Sequence, residues 1–435
     1  MQSADVKILN EKYPEYIQRI ERNYRWNFIF ILLDSSFFTF ATTVLAVDTI
    51  LPYFVSNLTS ASIWIGVVTA LSFLGSYLPQ IIGAYMVSGR ATRKWTIFWI
   101  AVAERVGILM IALVAQFLHL MSRNIALLLF LISYAVYAIT TGLIGPAWSD
   151  YISKNIIKNR GLFYGSMIGL GGAIGFIASL IVKHFLDVLS FPFNMQTLFW
   201  LGFAASFISP FLIASYKETP FPEERIREPL IIYLKALPAL IKGESNFIRY
   251  LITRCFMAFS FTANAFYAIY AIYKFQLPVG YLAIFTMIIL ISQSSLGFVW
   301  GWIGDKFGYK IISIIALSLV ALEAFLAIMV HHPFAFYIIC LCEGGVISAM
   351  SQYDPNMIYE LVPPRATSNF IGVTNTLLGF AYALAPLFGG FLVDKFSYEA
   401  LFISALVISL ANLILTIIVV RDPRKEKRVT SDSLI

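Results

Sequence analysis

Charge is what this sequence has least of. Asp, Glu, Lys and Arg make up 13% of 435 residues, against about 25% in an ordinary soluble domain. Hydrophobic residues reach 59% and the mean hydropathy is +0.79, a surplus that one soluble core cannot hide and that must face lipid. There are three cysteines, Cys255, Cys340 and Cys342, all inside apolar runs. That excludes a disulfide framework and leaves the redox compartment open. Cys340 and Cys342 leave a helix on different faces, which does not suit metal ligation, so no metal is expected. The four histidines, His119, His184, His331 and His332, fall near the ends of apolar runs, an interfacial placement. No Walker loop, Ser-His-Asp set or H-E-x-x-H motif is present, so neither ATP use nor enzymatic activity is expected, and no cofactor is implied. No cleavable signal peptide is evident, because the first apolar run follows a mixed-charge stretch and is too long for an h-region. The net charge of +7 is spread between apolar runs and not gathered in a patch, so nucleic acid is not an expected partner.

What the chain does have is long apolar segments, at 27–54, 62–88, 95–119, 124–147, 161–186 and 194–215, then at 247–274, 279–304, 309–330, 334–353, 368–393 and 398–420. Each is long enough to cross about 30 Å of hydrocarbon as a helix. The longest polar interruption, 216–246, divides them six and six. Lys and Arg outnumber about six to one on one side. Arg22, Arg25, Arg90, Arg93, Lys94, Lys154, Lys158 and Arg160 lie there, as do Lys235, Lys306, Arg365 and the tail from Arg421. Only Arg123, Lys183, Lys274 and Lys395 oppose them. The positive-inside rule therefore predicts cytoplasmic termini in a plasma (inner) membrane protein. The expected organisation is a cytoplasmic segment 1–26, a six-helix bundle 27–215, a cytoplasmic linker 216–246, a second bundle 247–420 and a cytoplasmic tail 421–435. The halves also echo each other, with Asn27-Phe28-Ile29 matching Asn246-Phe247-Ile248, and Pro146…Arg160…Gly165 matching Pro355…Arg365…Gly372. Such a repeat points to duplicated halves with a site between them.

Gly301-Trp302-Ile303-Gly304-Asp305-Lys306-Phe307-Gly308-Tyr309-Lys310 resembles the G-x-L-a-D-r-x-G-r-k signature of the major facilitator superfamily. The glycines suit a tight turn and close helix approach, and Asp305 is placed to accept from a neighbouring helix end or from Arg365. Gly301, Asp305, Lys306, Gly308, Lys310 and Arg365 are thus the candidate gating residues. The first-half counterpart is degraded, with Val87 where the acid belongs. Glycines in span five (Gly165, Gly169, Gly171, Gly172, Gly175) and the Ala385-Pro386-Leu387-Phe388-Gly389-Gly390 run in span eleven read as small-residue packing faces, with an antiporter-type motif as the alternative. The resemblance implies an all-α membrane protein of twelve helices, in two pseudo-symmetric six-helix bundles around a central cavity lined by spans one, four, seven and ten.

Ionisable residues at bilayer depth cost about 2.5–3.5 kcal/mol each on insertion scales, so each is a functional candidate. With the lining that the resemblance implies, Asp34, Arg254 and Glu343 become substrate or coupling candidates, the alternative being static ion pairs. Glu104 and Arg105 leave their helix about 100° apart, a poor geometry for mutual pairing. With Glu323 they read as braces within a half. Asn264, Tyr267, Tyr270, Gln293, Gln352, Tyr353 and Asn375 could complete a site for a small organic solute. Asp34 and Arg254, at similar depths in opposite halves, could form a proton-sensitive gate, with Glu343 a rival partner for Arg254. The expected function is secondary active transport by alternating access. The substrate is a polar metabolite such as a sugar or an exported amphipathic compound, the proton is the coupling ion, and the protein works as a monomer in the lipid bilayer. A non-transporting membrane receptor on the same fold is the alternative.

Overall fold

The computed structural model describes residues 11–87, 90–222, 245–362 and 367–420. Twelve helices among them are long and apolar enough to cross a membrane, here called spans one to twelve. They are Pro14–Val44, Ile63–Val87, Lys94–Gln116, Arg123–Asn155, Arg160–Val188 and Phe193–Ala214, then Ser245–Phe275, Tyr281–Phe307, Tyr309–Ile328, Ala335–Leu361, Phe370–Lys395 and Tyr398–Val419. The chain is an all-α integral membrane protein.

Several boundaries differ from the hydropathy reading, spans four and ten running on to Asn155 and Leu361 and span one differing at both ends. Span one starts thirteen residues before Asn27, at Pro14, which occupies the first helical turn where a missing N–H costs nothing. The charged stretch stays helical because Tyr16, Ile17 and Ile20 recur on one face and are buried with Phe221 and Ile157. At its other end span one stops at Val44, and a separate helix, Ile50–Leu58, follows. Span seven is also discontinuous, as helices Ser245–Ser260 and Asn264–Phe275.

The molecule divides into two compact units. Unit 1 comprises Met1–Leu45 and Gly75–Ile232, and unit 2 comprises Ala46–Leu74 and Tyr233–Ile435. In unit 1, span three packs against spans four and six, and span one against spans five and six. Lipid tails are as apolar as leucine, so packing between spans depends on close approach and polar contacts more than on water exclusion. Gly142 shows this: a Cβ there would stand 2.0 Å from the Gly75 carbonyl oxygen, so only glycine permits the crossing of spans two and four.

In unit 2, span ten packs between spans eight and nine, and span twelve contacts spans seven and nine. The segment 46–74 from the first half of the sequence belongs to this unit. It is held to span eleven by glycine contacts: a Cβ on Gly66 would lie 2.2 Å from the Pro386 carbonyl oxygen, and one on Gly390 would lie 2.6 Å from the Ile63 Cα. The Asp394 carboxylate accepts from the backbone N–H groups of Ser62 (2.6 Å) and Ile63 (2.9 Å). It thereby caps the amino end of span two, where orphan donors and the helix dipole favour an anion.

Candidate functional site

Each unit holds buried charge, and the two treat it differently. In unit 1 the centre is Asp34 on span one. It accepts hydrogen bonds from Ser209 Oγ and from the Tyr216 hydroxyl at 2.8 Å, with Trp148 alongside. Arg105 donates to Ser209 Oγ at 2.7 Å and to the Ser206 carbonyl at 3.1 Å, so its charge reaches Asp34 through a shared hydroxyl. It also pairs directly with Glu104, contrary to the expectation from their angular separation. The long, forked Arg side chain reaches around its own helix to the neighbouring carboxylate. Glu104 in turn accepts from Thr141 at 2.7 Å. Both acids are engaged, and together they brace spans one, three, four and six.

Near the start of span three a second ionic group forms. Arg93 and Lys154 bind Asp150 at 2.8 and 2.7 Å. Glu218 accepts from the Arg93 and Lys94 backbone N–H groups at 2.8 Å and caps the span. Burial pushes its carboxyl above the usual carboxylate range, and those two amides pull it back.

In unit 2, Arg254 on span seven meets Asp354 on span ten in a two-point pair, Nε to Oδ1 and Nη2 to Oδ2, both 2.6 Å. The Tyr382 hydroxyl lies 2.9 Å from Nη2, and the Tyr250 hydroxyl donates to Asp354 at 3.0 Å. Asp354 was not among the sequence candidates, and it displaces both Asp34 and Glu343 as the partner expected for Arg254. Its sequence signal is weak: an acid beside Pro355, just past the end of the 334–353 apolar run and a hundred positions from its partner.

Deeper in unit 2, Glu323 (0% exposed) on span nine and Glu343 (3% exposed) on span ten lie within electrostatic reach of each other. Glu343 has the Asn264 amide beside it and Asp48 within electrostatic reach. Among the described residues, neither oxygen of Glu323 has a hydrogen-bond partner, nor does Glu343 Oε1 or Asn264 Oδ1. Glu323 therefore braces nothing through hydrogen bonds, which corrects the expectation for it. The break in span seven places Asn264 at a helix start beside this pair. Tyr267, 2% exposed, stands near both acids and stacks on Phe402 with ring centroids 5.3 Å apart. Tyr270 packs against Phe402 and Phe336. Cys340 and Cys342 lie beside the acids as free thiols. The structure thus brings Glu343, Asn264 and Tyr267 together and adds Glu323 and Asp48. Gln293, Gln352 and Asn375 are half-buried on spans eight, ten and eleven, and no hydrogen bond ties Gln293 or Gln352 into the cluster.

In the signature segment, Gly308 adopts φ 92°, which requires glycine at the turn between spans eight and nine. Gly304 faces the Tyr309 ring, where a Cβ would come within 2.5 Å. Gly301 has open space, so close approach does not explain it. Asp305 accepts from the Tyr309 hydroxyl at 2.9 Å, Lys306 lies over the Trp302 and Phe307 rings, and Lys310 donates to the Ile417 carbonyl at 2.9 Å. Arg365 lies outside the described residues. Gly165 and Gly169 of span five also meet nothing within 4 Å, so the packing face expected there is unoccupied at those two positions.

Residues 250–433 match the Major Facilitator Superfamily. The chain is similar to the tetracenomycin C resistance and export protein of Streptomyces glaucescens, 25% identical over 128 residues, 29% of this chain and 24% of that protein. It is similar to the quinolone resistance protein NorA of Staphylococcus aureus, 25% identical over 136 residues, 31% of this chain and 34% of that protein. The matched stretch thus spans a quarter to a third of these curated relatives. In fold it resembles the D-xylose-proton symporter (TM-score 0.68, 16% identity, covering 92% of this chain and 99% of that one) and the nucleoside transporter NupG (TM-score 0.68, 16% identity, covering 89% and 97%).

Proposed function

We propose that the chain, which belongs to the major facilitator superfamily, is a proton-coupled secondary transporter of a small organic solute that works by alternating access, with Glu343 and Glu323 as its proton-binding pair. The observation that carries this reading is the pair of carboxyl groups buried in a membrane unit with, among the described residues, no hydrogen-bond partner for either Glu323 oxygen or for Glu343 Oε1. An unpaired carboxylate in such a medium is far more costly than a neutral acid, so a proton or a cationic solute must stand in for the missing partner. Asp34, which the sequence offered as the coupling acid, has a full set of donors and is assigned a structural role. Its proposed pairing with Arg254 gives way to separate partners for each. The Tyr267 ring beside the acids, in an aromatic cluster with Phe402, Tyr270 and Phe336, favours an amphipathic aromatic or cationic solute over a sugar, because ring faces hold apolar and cationic groups. The export named for the tetracenomycin C relative and the quinolone resistance named for the other support that choice. The halves 27–215 and 247–420 are the moving bodies, with segment 46–74 travelling with the second, working as a monomer, with termini and the 216–246 linker on the cytoplasmic side of the plasma membrane.

The test is purified protein in proteoliposomes carrying a pH-sensitive dye. Addition of amphipathic aromatic cations is expected to move protons across the membrane, whereas sugars leave the signal unchanged. Solute that binds but never drives proton or solute flux would favour the receptor reading instead.

A further inference from the structure

A groove of about 430 Å³ lies in unit 1, lined by spans two, three and four. Thr96, Ile100, Ala103, Thr140 and Leu143 contribute to its lining, together with Trp95 and Trp99, which are 54% and 66% exposed. The two tryptophans are four residues apart and so share one face of span three. Elsewhere on spans two and four large apolar side chains are similarly exposed, Ile82 at 49% and Ile139 at 47%, as expected where a helix surface faces lipid and not water. One end carries Arg90, exposed and held by a 2.6 Å hydrogen bond from Nη1 to Thr96 Oγ1. The other nearby cation, Lys94, is tied to the Ala214 and Tyr216 carbonyls at 3.0 and 3.1 Å. Arg90 is therefore the cation the groove presents.

The dimensions fit one kind of occupant. From Lys94 at the start of span three to Ala103 the helix rises about 13 Å, close to half of the roughly 30 Å hydrocarbon core. The groove is thus one leaflet deep, polar and cationic at its end and apolar along its length. Indole rings favour the level of the headgroups, and basic pockets between spans on the cytoplasmic side select anionic headgroups. We propose that this groove is a specific binding site for an anionic phospholipid of the leaflet on the Arg90 side, its phosphate against the free N–H groups of Arg90 and one acyl chain laid between Trp99 and Leu143. The site is independent of the transport reading, since it shares no residue with the acid pairs.

The experiment is native mass spectrometry of the full chain, released from detergent after incubation with phosphatidylglycerol or phosphatidylcholine. One phosphatidylglycerol is expected to stay bound per chain, with phosphatidylcholine retained at least fivefold less. Arg90→Gln and Trp99→Ala should each lower phosphatidylglycerol retention several-fold, while Arg90→Lys keeps most of it and Ile139→Ala, outside the groove, leaves it unchanged. Equal retention of the two lipids, or Arg90→Gln behaving as the parent protein with an unaltered melting temperature, would overturn the proposal.

Discussion

The acids of unit 1 and those of unit 2 face the same problem, ionisable groups in a low-dielectric interior, and resolve it in opposite ways. Asp34 and Glu104 are supplied with hydroxyl donors and share Arg105. Glu323 and Glu343 lie equally deep, and among the described residues nothing satisfies either oxygen of Glu323 or Oε1 of Glu343. A satisfied network rigidifies a bundle, while an unsatisfied one waits for something to bind. On the proposed reading, the difference gives structure to one unit and ion chemistry to the other. Within unit 2 the contrast recurs, because Arg254 has its carboxylate and, among the described residues, the two glutamates pair with no cation.

The largest effect on stability should come from breaking the Arg254–Asp354 pair. Asp354→Asn leaves a guanidinium that is 2% exposed without its counter-charge, at a cost of about 3 kcal/mol. That is the low end of the range for buried pairs, since Asp354 keeps 25% of its side chain exposed. Thermal unfolding in detergent should show a drop of several degrees, and the double change Arg254→Met with Asp354→Leu should recover most of it. No recovery would mean the pair serves more than charge balance.

Asp34→Asn comes next. It weakens hydrogen bonds to a charged acceptor, worth about 1–3 kcal/mol, and should lower the unfolding temperature without changing how transport depends on pH. Its mirror in unit 2 is Glu323→Leu, which removes an unpartnered acid and should leave the unfolding temperature unchanged or raise it. If Glu323→Leu destabilises as much as Asp34→Asn, the comparison between the two acid centres collapses.

Asp394→Asn should have the smallest effect. It replaces a charged cap on span two by a neutral one, a change of about 0.3–1 kcal/mol. Because the cap joins segment 46–74 to span eleven, the change should increase labelling of a cysteine placed at Ser62 by a membrane-impermeant reagent. Unchanged labelling would show that the cap does not control that contact.

Much of this was legible in the sequence. The twelve spans follow from runs of apolar residues, and the Gly301–Lys310 signature gave the family, with Gly308 at φ 92° confirming the turn it requires. Glu343 was nominated from its depth and the lining that the resemblance implies, Asn264 and Tyr267 from their polar and aromatic chemistry, and the three do meet. What escaped was partnership. Asp354 pairs with a residue a hundred positions away, and neither helical periodicity nor hydropathy carries such distances. Arg105 reached Glu104 because side-chain length overcame helix geometry. Nothing local reveals that segment 46–74 packs on span eleven, since that depends on glycines sixty-six and three hundred and ninety residues into the chain meeting backbone on other helices. The lack of donors around Glu323 is likewise a property of the assembled unit.

The most direct test of the central claim is accumulation of a transported amphipathic cation in proteoliposomes under an imposed pH gradient, comparing the parent chain with Glu343→Gln and Asp34→Asn. The account predicts that Glu343→Gln abolishes gradient-driven accumulation while still exchanging solute downhill, and that Asp34→Asn accumulates as the parent does. Accumulation by Glu343→Gln that still follows the pH gradient, with its loss in Asp34→Asn, would contradict it.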